Sequence, residues 1–243
     1  MERTVTIVQP SYIPWRGYFD LVRRADVFIF YDDVQYDKHG WRNRNRIKTP
    51  NGLTWLTIPV LSKGTLARHA SVKEVEIDER SDWRAKHLES VRHAYRRAPY
   101  FDETYEFLRN AYANRSRFLA EFTIDVTEKL ARRMGIQSKF SRSSELPVTG
   151  HKMDRLMATL RAVDATHYIS GPSARSYIEP SRFAEVGITL EYINYRYAPY
   201  PQLHGDYEPN VSVIDLLMMT GPRAPDYLVP LTPENDDIRN TSV

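Results

Sequence analysis

Short apolar runs and amphipathic helical patterns follow one another from the N-terminus. The run TVTIV, Thr4 to Val8, is β-branched and apolar, which predicts a buried strand. The spacing of Phe19, Leu21 and Val22 predicts a helix, and the run DVFIFYDD, residues 26–33, predicts a second buried strand. The order strand, loop, helix, strand is typical of a unit whose two strands are parallel.

The same two patterns predict an α/β domain that is interrupted by helices. Strands are predicted in residues 53–60, 71–77, 138–146, 166–171 and 188–195. Helices are predicted in residues 82–97, 101–115, 116–135, 152–165, 180–187 and 211–221. We therefore predict one α/β domain over residues 1–230, with a mainly parallel sheet, flanking helices and a helical insert or subdomain at about 81–134. A polar C-terminal tail, residues 231–243, follows it.

The composition narrows the classes of function. The 243 residues include no Cys, which excludes disulfides, thiolate metal sites and a cysteine nucleophile. The apolar runs are shorter than the ~20 residues of a membrane span, and the N-terminus lacks the pattern of a signal peptide. We therefore expect a cytoplasmic protein without a membrane partner. The net charge is only +3 and the cations are scattered among acids, which favours a small anionic ligand over nucleic acid.

Three polar loops follow predicted strands, at residues 9–16, 32–48 and 195–210. Ligands of parallel α/β sheets bind outside the carboxyl ends of the strands, so we expect these loops to converge on one cleft. The chain lacks the glycine-rich patterns GxGxxG and GxxxxGK[ST] and the zinc pattern HExxH. We therefore expect no bound dinucleotide, metal or other resident cofactor.

The second loop, DDVQYDKHGWRNRNRIKT, begins with two carboxylates. Asp32 and Asp33 suit a magnesium ion or a substrate amine, or else they cap a neighbouring turn. Asp33 is the stronger candidate, because adjacent residues of a strand point to opposite faces. The amides of Gln35, Asn43 and Asn45 suit the orientation of a carbonyl or the stabilisation of an oxyanion, and equally a hydrogen-bonded loop.

Cations recur at every second position later in this loop: Arg42, Arg44, Arg46 and Lys48. In an extended segment they would share one face and meet a phosphate; in a turning segment they would point into solvent.

A histidine in the third loop is the candidate general base. His204 lies in PYPQLHGDYEPN just after a predicted strand, and imidazole titrates near neutral pH. Ser170 and Ser173 suit an anion at the start of a short helix, or a helix cap. Aromatic side chains in and beside the first two loops suit the walls of a pocket or the core: Tyr12, Trp15, Tyr18, Tyr36 and Trp41.

Four segments of the chain together resemble the WbqC-like family. They are the long block VQPSYIPWRGYFDLVRRADVFIFYDDVQYDKHGWRNRNRIKT, then WLTIPV, HYISGPSARSYI and YPQLHGDYEPNVSVIDLL. The resemblance spans nearly the whole chain from Val8 to Leu217. It implies a biosynthetic role in making bacterial surface polysaccharides or small-molecule natural products. For some members it implies transfer of a glycyl or related aminoacyl group from a carrier-protein thioester to an amine.

Individual positions of this chain match residues that the family shares. They are Gln9, Pro10, Tyr12, Pro14, Trp15, Gly17, Tyr18, Asp32, Asp33, Gln35, Trp41, Asn43, Arg44, Asn45, Lys48, Ser170, Gly171, Tyr177, His204, Gly205, Pro209, Asn210 and Asp215. The chain departs from the family at His39–Gly40 and at Met218–Met219. His39 is therefore not assumed to be catalytic, and the far wall of the pocket is not carried over.

Three hypotheses follow. In the first, an acyltransferase uses His204 as base and Asp33 to bind an ammonium group, and the acyl carbonyl is held by Gln35, Asn43 and Asn45. Arg44 and Lys48 would bind the phosphate of the phosphopantetheine arm of an acyl or peptidyl carrier protein. The predicted substrate-binding residues other than these two cations line the cleft: Gln9, Tyr12, Trp15, Asp32, Gln35, Trp41, Asn45, Ser170 and Asn210.

The second hypothesis is a nucleotide-dependent or nucleotide-sugar transferase in which Asp32 and Asp33 hold magnesium. The third is a non-catalytic partner of biosynthetic enzymes, with an exposed aromatic patch in place of a deep cleft.

Overall fold

A computed structural model of the chain describes residues 2–61 and 70–231. Within these ranges the strands are β1 (Thr4–Val8), β2 (Val27–Phe30), β3 (Arg44–Thr49), β4 (Gly52–Thr57), β5 (Lys139–Arg142), β6 (His167–Ser170) and β7 (Thr189–Tyr192). The α-helices are α1 (Arg16–Arg24), α2 (Trp83–Tyr95), α3 (Phe101–Tyr112), α4 (Leu119–Arg133), α5 (Lys152–Ala162), α6 (Pro180–Ala184) and α7 (Val213–Thr220).

The main sheet is parallel and has the strand order β5-β2-β1-β6-β7. Val5 pairs with Val27 on one side of β1 and with Tyr168 on the other. The predicted α/β fold with a mainly parallel sheet is therefore confirmed. The chain builds the sheet outward from β1 in one direction and then resumes on its other side at β6, so the strand order reverses between β1 and β6. Ligands of open parallel sheets bind beside such a reversal, outside the carboxyl ends of the two strands.

Side chains alternate between the two faces of the sheet along each strand, and apolar residues pack against both faces. Phe28 and Phe30 belong to the apolar cluster that includes α1 and α4, whereas Ile29 faces the opposite cluster with Leu160 of α5 and Phe183 of α6. The main sheet thus packs against an apolar cluster on each face, as the apolar runs of its central strands β1 and β2 predict.

The strands β3 and β4 form a separate antiparallel hairpin. The turn between them ends at Gly52, whose φ of +100° suits glycine. The strand predicted at 53–60 corresponds to β4, but β3 lies in a polar segment that has no strand pattern. The strand predicted at 71–77 is wrong, because Val72–Glu74 is a 3₁₀ turn. The Glu74 carboxylate accepts hydrogen bonds from the Ser71 amide and hydroxyl, and this local capping replaces a strand ladder.

The helices α2, α3 and α4 lie in the chain between β4 and β5, where the helical insert was predicted. Their buried side chains, including Tyr95, Leu108 and Phe122, join the same cluster as Phe28 of the sheet. The predicted polar tail lies, after Leu231, outside the described residues. Within the described ranges, every helix is too short or too polar to cross a membrane.

Candidate functional site

Residues from all three polar loops line one cavity of about 390 Å³. It lies outside the carboxyl ends of β1 and β6, where the strand order reverses. We call it the switch-point cavity. The first loop contributes Pro14 and Trp15, the second Trp41, Arg42 and Asn45, and the third Tyr195 and Asn210; the other lining residues are Val8, Tyr18, Leu21 and Ser173.

Trp15 and Tyr195 form one wall of the switch-point cavity. Their rings meet edge to face with centroids 4.9 Å apart, a favourable geometry for an aromatic pair. Trp15 precedes the first turn of α1, and its indole lies over Gly17. A Cβ atom at Gly17 would lie 2.4 Å from the indole ring, so this packing requires glycine. The wall is therefore fixed by the backbone of α1.

Arg42 places a positive charge in the cavity. One guanidinium nitrogen, Nη1, donates to the carbonyl of Gln9 at 3.3 Å. In the part of the chain that the structure describes, Nη2 has no hydrogen-bond partner and the guanidinium forms no ion pair with a carboxylate. Burial lowers the pKa of Arg42, although nearby Tyr18 and Asp37 oppose the shift. A partly buried cation without a counter-ion is stabilised by an anionic ligand.

Hydroxyl groups add neutral hydrogen-bond donors to the cavity. Tyr195 has a pKa raised to about 12 by burial and by the nearby negative charge of Asp20, so its hydroxyl keeps its proton at neutral pH. A Cβ atom added at Gly171 would lie 3.3 Å from the Tyr195 oxygen, so the strand end after β6 approaches this hydroxyl closely. Among the described residues, neither the Tyr195 nor the Ser173 hydroxyl has a hydrogen-bond partner, which leaves both free for a ligand.

The loop after β1 is held in a strained conformation. Ile13, a β-branched residue before a proline, has a φ of +34°, a region that such residues rarely occupy. The Asn45 side chain donates to the carbonyl of Ile13 at 2.8 Å, and the Ser212 hydroxyl donates to the same oxygen at 2.7 Å. Asn45 therefore positions the loop that carries Trp15, and strain of this kind is typical of functional sites.

The two carboxylates after β2 bind protein groups. Asp32 is buried; its oxygens accept from the amide and hydroxyl of Ser144, and its main-chain amide donates to the Ser143 hydroxyl oxygen at 3.2 Å. Asp33 pairs with Arg155 of α5 and accepts from the Ser143 hydroxyl at 2.6 Å. Both acids thus fix the turn after β5, the capping alternative, and neither lines the switch-point cavity.

The predicted catalytic group of His204, Asp33 and Asn43 is not assembled. The His204 ring contacts the carbonyl of Ala94 near the end of α2 at 2.8 Å, and Asn43 donates to the carbonyl of Ile58 at 2.8 Å. Neither residue lines the cavity. The direction of His204 follows from its φ of +68°, which turns the loop towards α2.

The two cations that were predicted to bind phosphate are also engaged by the protein. Lys48 is buried and donates to the carbonyls of Gly205 and Asp206 and to the side chain of Gln202. Arg44 donates to the carbonyl of His39 and lies over the ring of Trp55. Lys48 therefore anchors the third loop to β3, and Arg44 lies outside the cavity.

The other predicted binding residues divide between the cavity and the scaffold. Trp15, Trp41, Asn45 and Asn210 line the cavity. Gln9 reaches its edge through the carbonyl that Arg42 contacts. Three lie elsewhere: Tyr12 in the core beside His87 and Tyr112, Gln35 on the surface, and Ser170 buried beside Tyr168.

The sequence did not single out Tyr195, the first residue of the third loop and the partner of Trp15. Its place where a predicted strand ends and a polar loop begins was the available signal. Arg42 was predicted together with Arg44, Arg46 and Lys48, the cations at every second position. It precedes β3, however, and so is not part of the strand that carries the other three. Among the described residues, no cluster of three or more His, Asp or Glu side chains is arranged to hold a metal ion.

The parallel sheet with strand order β5-β2-β1-β6-β7 and the polar-aromatic cavity at its switch point define an α/β protein with a candidate ligand cavity at the reversal of its strand order. Residues 9–227 match the model of the WbqC-like protein family, and the chain belongs to that family. An uncharacterized protein of Mycobacterium tuberculosis, Rv1507c, is similar to it, with 41% identity over 228 residues that cover 93% of this chain and 97% of the relative. No solved structure matches the chain.

Proposed function

We propose that this protein is a biosynthetic acyltransferase. In this proposal a carrier protein presents a glycyl or related aminoacyl thioester on its phosphopantetheine arm, and an amine acceptor in the switch-point cavity receives the acyl group. The observation that carries the proposal is Arg42, which places an unpaired cation at the reversal point of a parallel sheet. A cytoplasmic location belongs to the same proposal.

The cavity suits a reaction that needs positioning and oxyanion stabilisation. The acceptor nitrogen attacks the thioester carbonyl, the C–S bond breaks, and the products are an amide and the free carrier thiol, which takes up the proton that the nitrogen loses. Among the described residues, no His, Asp or Glu lines the cavity. A thiolate is a good leaving group, so donors such as Arg42 and Tyr195 and close placement supply most of what the step needs.

The attack is direct in this scheme. The chain has no Cys, so a thioester intermediate on the protein is excluded, which favours direct attack with both substrates bound together. The aromatic faces of Trp15 and Trp41 offer surface for the arm or the acceptor, and Arg42 offers a charge for an anionic group on either substrate.

The experiment is a transfer assay with purified protein. Glycyl-loaded carrier protein and a panel of amines are incubated with the protein, and the loss of the acyl group from the carrier is followed by mass spectrometry. The proposal predicts loss of the acyl group that depends on both the protein and one amine class. Equal rates of loss with and without the protein, across the donors and amines of the pathway, would contradict it.

A nucleotide-dependent transferase is the second candidate, because the strand order reverses beside a central strand as in nucleotide-binding sheets. A nucleotide would use the indole faces and Arg42. Its magnesium would need ligands other than Asp32 and Asp33, since both already bind protein groups. Calorimetry with nucleotides and nucleotide sugars, with and without magnesium, distinguishes the two candidates.

A further inference from the structure

The surface beside the switch-point cavity combines exposed aromatic and cationic side chains. Trp41 and Trp55 are 42% and 44% exposed, and their ring centroids lie 5.2 Å apart. The Arg44 guanidinium lies 4.6 Å from the centre of the Trp55 ring, and that of Arg46 lies 5.5 Å from the centre of the Trp41 ring. With the exposed Leu53 of β4, these side chains form a surface that we call the hairpin patch.

The charge of the hairpin patch is mainly positive. The segment of residues 37–49 contains Lys38, Arg42, Arg44, Arg46 and Lys48 but only one acid, Asp37. Elsewhere cations pair with carboxylates, as Arg80 does with Asp78 and Arg92 with Glu89. In the described part of the chain, Arg44 and Arg46 form no such ion pair and donate only to main-chain carbonyls. The patch is therefore complementary to an acidic surface.

The hairpin patch is continuous with the cavity through Trp41, which lines the cavity and is exposed on the patch. Aromatic and arginine side chains with this exposure are the types that dominate the energetics of protein interfaces. Nucleic acid would need a longer track of free cations, and two indoles tilted by 35° beside a single cavity do not provide one.

We propose that the hairpin patch is the docking surface for an acidic protein partner, which, resting on the proposed function, is the carrier protein whose arm enters the switch-point cavity. Arg44 and Arg46 meet carboxylates of the carrier, and Trp41 and Trp55 pack against its apolar surface. Docking at this place positions the arm at the rim formed by Trp41.

The test is a binding measurement by calorimetry with the carrier proteins of the source genome, each in its holo form without an acyl group. The wild-type protein binds at least one of them, and binding weakens as salt is raised. The variant R44E/R46E weakens binding at least tenfold, and Trp55→Ala weakens it similarly. Arg161→Glu, which reverses an exposed cation on α5 far along the chain, changes binding by less than twofold.

Circular dichroism establishes that each variant is folded, and Arg44→Gln replaces the charge reversal if R44E/R46E does not fold. Absence of binding to every carrier, unchanged binding by the charge-reversed protein, or tighter binding to a single-stranded oligonucleotide would each overturn the docking proposal. Binding that depends on the patch without acyl transfer contradicts the proposed function and keeps the docking surface. Transfer that proceeds equally in the patch variants contradicts the docking surface and keeps the proposed function.

Discussion

The guanidinium of Arg42 donates to the main-chain carbonyl of Gln9 at a distance of 3.3 Å. This bond joins the residue two positions before β3 to the residue that follows β1, and among the described residues Nη2 of Arg42 has no hydrogen-bond partner. Arg42 therefore combines a weak structural contact with an unpaired charge.

Replacement of Arg42 by Met separates these two roles. Loss of the bond to Gln9 costs about 1 kcal/mol, and removal of a partly desolvated cation offsets it, so the free energy of unfolding should change by less than about 1 kcal/mol. Arg84→Met is the comparison, because Arg84 is buried and pairs with Glu79. That variant should lose about 2–3 kcal/mol. Urea denaturation measures both, and an equal loss in the two proteins would assign Arg42 to structure.

Lys48 should matter for stability more than its polar surroundings suggest. Lys48→Met leaves the carbonyls of Gly205 and Asp206 without their donor, and we expect a loss of about 3 kcal/mol in the free energy of unfolding. Arg44→Met, on the same face of β3 but facing solvent, should cost less than about 1 kcal/mol. A small loss for Lys48→Met in urea denaturation would mean that the lysine is free to bind a ligand.

Gly17→Ala tests the wall of the cavity. Alanine in a helix is ordinarily more stable than glycine by about 1 kcal/mol, but here its Cβ would lie 2.4 Å from the Trp15 ring. We expect a net loss of about 1–3 kcal/mol and displacement of the indole, seen as a shift in tryptophan fluorescence. A gain in thermal stability with unchanged fluorescence would show that the indole is not seated on Gly17.

His87 should make stability depend on pH. It is buried beside Tyr12, and burial lowers its pKa from 6.5 to about 4, although a backbone hydrogen bond of Thr57 opposes the shift. Between these two values the unfolded chain binds a proton that the folded protein excludes. The contribution is therefore fully present above pH 6.5 and is lost as the pH falls towards 4, by up to about 1.4 kcal/mol per pH unit.

The measurement is the free energy of unfolding of wild type and His87→Gln between pH 4 and 7.5. The difference between the two should change over this window, with the wild type losing more stability at low pH. His93→Gln, an exposed histidine on the same helix, serves as the control and should follow the wild type. Parallel curves for wild type and His87→Gln would contradict the shifted pKa.

The central strands β1 and β2 could be predicted because they are short apolar runs that the protein largely buries. The hairpin was only half predicted. The residues of β3 alternate between arginine or lysine and Asn45 or Ile47, which is not an apolar strand pattern. Besides its pairing with β4, this strand is held by side-chain hydrogen bonds to remote loops, such as that of Lys48 to Gly205, and such bonds leave no local pattern.

The place of the site could be predicted, but its members could not. Loops after parallel strands must lie at one edge of a sheet, and three of them do line the cavity. Whether a polar side chain of these loops faces the cavity or binds another protein group depends on residues far away in the sequence. Asp32 is engaged by Ser143 and Ser144, and His204 is turned to Ala94 by a positive φ. Pairings over such distances in sequence decide which polar groups stay free.

The most direct measurement of the central claim compares turnover of two variants in the glycyl-transfer assay. Arg42 faces the cavity and His204 does not. We predict that Arg42→Met lowers kcat/KM by 10- to 100-fold, about 1.4–2.7 kcal/mol in transition-state stabilisation, while His204→Ala stays within about twofold of wild type. The reverse pattern, full turnover in Arg42→Met and lost turnover in His204→Ala, would contradict the assignment of the switch-point cavity.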